Sequence, residues 1–200
     1  MKTKMSLKKR ITLCVVICVA VLIGIFVALN LYILLSTPKQ YMITTKNYID
    51  YQPHYECSGF ASAYVLRSLG EDADGIALYN DISNKNNDGT VPPVNLVEFL
   101  DKKGYSAKLS NGTIMQLKHE ISKGTPVIVF VRTSPNEDYY HYLPIVGYDE
   151  ENIYAAESLK YKENTVNEYY NRMIGTSDFE KMWETGVFRK NTYIMIQIKN

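Results

Sequence analysis

From Ile11 to Leu35 the chain runs 25 residues without a charged side chain, and Val, Ile and Leu dominate the run. At ~1.5 Å per residue a helix of that length spans ~37 Å, enough to cross a hydrocarbon core of ~30 Å with some tilt. Thr12, Cys14, Cys18, Gly24 and Asn30 interrupt the run without adding charge. Core helices of soluble domains seldom stay unbroken this long, so residues 11–36 are read as a transmembrane helix. Five cations precede it (Lys2, Lys4, Lys8, Lys9, Arg10), whereas only Lys39 and Lys46 follow nearby. The positive-inside rule then leaves residues 1–10 as a cytoplasmic basic tail and sends the rest of the chain outside the cell membrane. A secretory leader has an apolar stretch of only ~7–15 residues, and no clear A-x-A site follows this one, which favours a retained single-pass anchor over cleavage.

This division reinterprets the charge. The whole chain carries 22 Lys+Arg against 21 Asp+Glu, a formal +1. Without the five tail cations, 17 basic residues face 21 acidic ones, a formal −4 for the exported part. Such a domain offers no basic surface for nucleic acid or anionic lipid. The apolar content of 46% argues equally against a disordered chain.

Residues 37–47 read as a tether, polar and extended, with one strand somewhere in 37–51, and residues 48–200 as the extracellular domain. Cys57–Leu69 (CSGFASAYVLRSL) places Phe60, Ala61, Tyr64, Val65 and Leu69 at helical spacing, with Gly70 where a C-cap belongs. Residues 83–89 are a loop. Helices are expected over 95–103 and 114–123, with a strand at 105–109 between them. Thr125–Val131 (TPVIVFV) suits a strand covered on both faces. Tyr140–Tyr148 and Asn152–Ala156 form a hairpin across residues 149–151; a short helix at 176–183 and a strand at 193–199 complete an α+β domain with an antiparallel sheet. The 17 tyrosines are read as an outer face in preference to a groove lining.

Two of the three cysteines, Cys14 and Cys18, lie in the apolar run, which leaves Cys57 alone outside. A lone thiol in an oxidising space is buried, pairs with another chain, or works chemically. Its place at a helix start favours a thiolate, and the small Ser58 and Gly59 after it are expected to leave the sulfur accessible. On position alone, a buried structural thiol fits as well as a nucleophile. A nucleophile needs a base, and there are three histidines. His119 lies in a polar helix and is read as solvated; His54 lies in a tight turn and is read as a turn or surface residue. His141 opens a strand and can be held rigidly there. In the hairpin, the start of one strand lies beside the end of the next, which brings Glu157 to the His141 end of the sheet. Three scattered histidines and one exported thiol make no metal-ligand cluster, and no cofactor motif is present.

This order of Cys, His and acid is papain-like, and its wording resembles the bacteriocin-processing (double-glycine leader) peptidases and their relatives. The matching pieces are Glu56-Cys57-Ser58-Gly59, the strand Lys123–Val129 (KGTPVIV), His141–Asp149 (HYLPIVGYD) and Phe179–Trp183 (FEKMW). Together they cover roughly residues 48–198. The resemblance implies a papain-like fold and a cysteine peptidase in which Cys57 attacks a peptide or protein substrate. It further implies His141 as base, Glu157 as orienting acid and Gln52 as an oxyanion donor. Relatives commonly have Cys-Gly where this chain has Cys57-Ser58, Asp or Asn at the place of Glu157, and the Gln about six residues ahead of the Cys instead of five. These departures motivate one alternative, an inactive papain-like extracellular binding module. A cell-wall amidase or transpeptidase of similar fold is another. With one span and no nucleotide-binding motif, the chain is expected to act on a surface or secreted peptide and not on exporter leaders.

Overall fold

A computed structural model describes residues 6–186 and 190–199; Lys2 and Lys4 of the basic tail lie outside them. Two compact units divide at Thr37 and Pro38.

The first unit is one helix, α1 (Leu7–Ser36), capped by Ser6 and with no buried residue. It is long and apolar enough to cross a membrane. Its polar side chains bond inside the helix: Thr12 Oγ1 donates to the Lys8 carbonyl at 3.0 Å and Asn30 Nδ2 to Phe26 at 2.8 Å. A helix in hydrocarbon needs that internal satisfaction, because lipid supplies no partner.

The second unit is an antiparallel sheet with helices on both faces. Its elements are β1 (Tyr41–Met42), α2 (Cys57–Ser68), α3 (Gly75–Asp81), α4 (Pro93–Lys102), β2 (Tyr105–Asn111), α5 (Ile114–Ile121), β3 (Val127–Arg132), β4 (Tyr140–Tyr148), β5 (Asn152–Ala155), β6 (Arg172–Gly175), α6 (Thr176–Trp183) and β7 (Thr192–Ile198). The strands run β2-β7-β3-β4-β5-β6, with β1 paired onto β4. β3 is buried along Val127–Val131 because both of its faces are covered. Val127, Val129 and Val131 join Leu117, Ile121, Phe179 and Trp183 on one side. Ile128 and Phe130 join Val65, Leu66, Leu96 and Leu100 on the other. That two-sided packing explains an unbroken β-branched run where a one-sided strand would alternate.

Sequence periodicity anticipates most of these elements but misses α3 and β6. Ser58 and Gly59 are both buried, while Cys57 itself is half-buried. A Cβ at Gly59 would stand 2.7 Å from Tyr79 Cβ and 2.8 Å from its backbone nitrogen, closer still to the Gly75 carbonyl. Gly59 therefore serves the close approach of α2 to α3. His119 is half-buried on α5.

Candidate active site

Cys57 is the first residue of α2 and is half-buried. No side chain caps this helix end, so the positive end of its dipole faces the sulfur. His141 lies near the start of β4, its side chain 1% exposed, and its Nε2 meets Glu157 Oε1 at 2.8 Å. Cys57 lies close enough to the same imidazole to raise its pKa. With Nε2 engaged by Glu157, Nδ1 is the ring nitrogen left for the sulfur. The three groups thus form a chain, thiol to imidazole to carboxylate.

Glu157 falls just past β5 and has no exposed surface. Its Oε1 also accepts the Leu159 amide at 2.7 Å, while Oε2 accepts from Arg172 Nη1 at 2.7 Å. The Asn171 side chain clamps the Glu157 backbone, accepting its N–H at 2.7 Å and donating to its carbonyl at 2.9 Å. Burial alone would raise the Glu157 pKa; the His141 and Arg172 charges outweigh it and hold the carboxyl below the ordinary range. Burial alone would likewise lower His141, but Glu157 and the Cys57 contact more than compensate and raise it. Both shifts favour an imidazolium beside a carboxylate, which is the charge state that stabilises a neighbouring thiolate.

Gln52 is tied to the acid's own segment. Its backbone N–H donates to the Ser158 carbonyl at 3.0 Å and its Oε1 accepts the Ser158 hydroxyl at 2.7 Å. Its Nε2 donates to the His54 carbonyl at 2.8 Å. Gln52, Cys57 and His141 open into one cleft of about 880 Å³, whose walls include Tyr55, Tyr139, Tyr140, Tyr161, Asp88 and Asp138. These four tyrosines are exposed and line the cleft as well. His54 is exposed at its edge. Among the described residues no group of three His, Cys, Asp or Glu is placed to hold a metal ion. Sequence reasoning missed Ser158, Asn171 and Arg172; each acts through a partner 14 or more residues away, which no local pattern signals.

The fold has solved counterparts. The peptidase domain of Streptococcus ComA, a bi-functional ABC transporter, aligns with a TM-score of 0.60 at 14% identity, over 76% of this chain and 97% of that one. A double glycine motif protease from an AMS/PCAT transporter, solved with its leader peptide, aligns at 0.56 and 16%, over 78% and 94%. A cysteine protease of the plant Carica candamarcensis aligns at 0.58 and 11%, over 82% and 100%. These likenesses establish a papain-like fold. No curated protein matches the sequence. The model of the Peptidase_C39 like family matches residues 40–190, three quarters of the length and all four segments named above, and the chain belongs to that family.

Proposed function

We propose that the chain is a membrane-anchored cysteine peptidase whose domain faces the cell exterior. The observation that carries this reading is the buried His141–Glu157 pair at 2.8 Å, with Cys57 close to the imidazole and lining the same large cleft. His141 takes the Cys57 proton, and the thiolate attacks a peptide carbonyl to give a tetrahedral oxyanion. The Gln52 amide and the Cys57 backbone N–H stabilise that oxyanion; one such donor is worth about 2.7–4 kcal/mol in comparable sites. His141 then passes its proton to the leaving amine, and water hydrolyses the thioester by the same route in reverse. Glu157 fixes the ring tautomer and supports its charged form. The leader peptide held by the AMS/PCAT protease supports a peptide substrate for this fold.

Anchoring rests on α1, and orientation on the cation excess ahead of it. On this reading residues 1–10 are cytoplasmic, 11–36 span the bilayer, 37–47 lead out of it and 48–200 act outside. The test is labelling of Cys57 in the full chain, in detergent, by a thiol-directed peptidyl electrophile. Wild type is expected to label far faster than a free thiol, and His141→Ala to lose that advantage. Labelling at the free-thiol rate, indifferent to His141, overturns the peptidase reading. In intact cells, a membrane-impermeant maleimide reaches Cys57 if the domain is outside and leaves it untouched if the orientation is reversed.

A further inference from the structure

The mechanism above uses one oxygen of Glu157, yet the other is held as firmly. The Arg172 side chain is 7% exposed and the Glu157 side chain not at all. One guanidinium nitrogen donates to Glu157 Oε2 at 2.7 Å and the other to the Thr133 carbonyl at 2.7 Å, just past the end of β3. Resting on the catalytic reading of Cys57, His141 and Glu157, we propose that Arg172 is a positioning residue of this site: it keeps the carboxylate aimed at His141 and sets the pH range in which His141 can take and return a proton.

Three observations lead there. First, a fully buried carboxylate is expensive unless it is paired and hydrogen-bonded. The Leu159 amide and the His141 ring serve Oε1 only, so Oε2 needs a donor of its own, and Arg172 supplies it. Second, glutamate has three rotatable side-chain bonds. A planar guanidinium fixed at its far end by Thr133 removes that freedom in a way a flexible ammonium does not. Third, the sign of the electrostatics is definite. A fixed cation lowers the proton affinity of every group near it. With Arg172 present, the His141–Glu157 unit releases its extra proton at lower pH than it otherwise would. Without it, the imidazolium persists to higher pH.

The charged or titratable groups facing this unit are Cys57 from α2, His141 from β4, Arg172 from β6 and Tyr161 from the turn at Lys160–Lys162. Beyond Thr133 lies the Glu137–Lys162 ion pair at 2.7 Å, whose charges cancel at short range. Beside the titratable His141 ring, Arg172 is the permanent cation of the set in direct contact with the carboxylate.

A purely structural bond between β6 and the end of β3 would cost stability and rate but leave pH dependence alone. The deciding experiment measures, on the full chain in detergent, the rate of Cys57 alkylation by iodoacetamide against pH, read by mass spectrometry on the Cys57 peptide. The His141 ring is titrated in parallel by 15N NMR. Arg172→Met and Arg172→Gln are expected to raise the His141 midpoint by about 1 unit or more and to carry the alkylation profile with it. Arg172→Lys keeps the charge and is expected to hold the wild-type midpoint. Neutral variants with an unmoved midpoint overturn the proposal. A Lys variant whose midpoint rises despite its intact charge overturns it too; should neither neutral variant fold, Arg172→His, neutral above the ordinary imidazole range, replaces them with the same two outcomes. If wild-type Cys57 alkylates no faster than a free thiol, the peptidase reading falls, while the His141 midpoint still decides the role of Arg172.

Discussion

Gly59→Ala isolates the contact that seats the nucleophile's helix. In the interior of an isolated helix, Gly to Ala is stabilising by about 0.8–1.0 kcal/mol. Here the new Cβ meets Tyr79 Cβ at 2.7 Å and Tyr79 N at 2.8 Å, and the Gly75 carbonyl closer still. The optimum for such pairs is about 3.5–4.0 Å, so α2 and α3 must separate by roughly 1 Å. Two of the three obstacles are backbone atoms, which cannot rotate away. Overpacking of this kind costs about 1–3 kcal/mol, and the backbone contacts put Gly59 at the upper end. Net of the helix gain, the loss is about 2 kcal/mol. Urea unfolding of the full chain in detergent reads it through Trp183, the sole tryptophan, which is buried and so changes emission on exposure. Gly70→Ala is the control: that glycine has φ +91° and no atom within 4 Å, so only the left-handed backbone is penalised, by about 1–2 kcal/mol. A Gly59→Ala protein as stable as wild type, or more so, refutes the close approach of α2 and α3. Because Cys57 lies two residues away, its alkylation rate is expected to fall in the same variant.

Other expected outcomes follow from charge. Glu157 has a folded-state pKa lowered from its ordinary 4.5 to about 2, so the stability it contributes is fully present above 4.5 and lost as pH falls from there through about 2. The urea midpoint is expected to drop on acidification below pH 4.5, with a shallower slope in Glu157→Gln; parallel slopes contradict this assignment. Asp88 and Asp138 line the cleft, and no Lys or Arg among the described residues does. A peptidyl electrophile with Lys next to its reactive group is therefore expected to label Cys57 a few-fold faster than its Glu counterpart at low salt. The preference narrows as salt is added, since the screening length is about 10 Å at 0.1 M. Equal rates at low salt, or a preference that survives Asp88→Asn with Asp138→Asn, remove the acidic rim as its cause.

The parts legible in the sequence are those whose causes are local. An apolar run announces α1, and a continuous β-branched stretch announces β3 because both of its faces are buried. His141 and Glu157 can be brought together on paper because a hairpin joins them. Where the cause is distant, the pattern is silent. α3 is seven residues with a single buried one, Gly75, and packing against Gly59 decides its conformation. Its one local signal is Asp74, whose carboxylate accepts the Ala77 N–H at 2.7 Å as an N-cap. β6 is four residues long and turns Arg172 inward, which reads as a solvated charge until Glu157 is placed opposite it. Gln52 and Ser158 meet across 106 residues.

The register of β4 and β5 gives a reason for pairing a glutamate with an arginine at this site. Ile145 faces Ala155, and the Ala156 N–H donates to the Pro144 carbonyl at 3.0 Å. Continuing that register sets Glu157 opposite Leu143, one diagonal step short of His141. Diagonal neighbours on a sheet are ~7–8 Å apart, within reach of long side chains. A glutamate reaches one C–C bond, ~1.5 Å, further than an aspartate, so it crosses the diagonal to the 2.8 Å contact with Nε2. The added bond also adds a rotor, and ordering a longer buried side chain costs more conformational entropy. Arg172 opposes that cost by fixing Oε2 while Leu159 and His141 share Oε1. On this argument the two residues are one solution, and Glu157→Asp leaves a carboxylate that cannot satisfy His141 and Arg172 together. A double-mutant cycle between positions 157 and 172, read by the His141 midpoint, is then expected to be strongly non-additive.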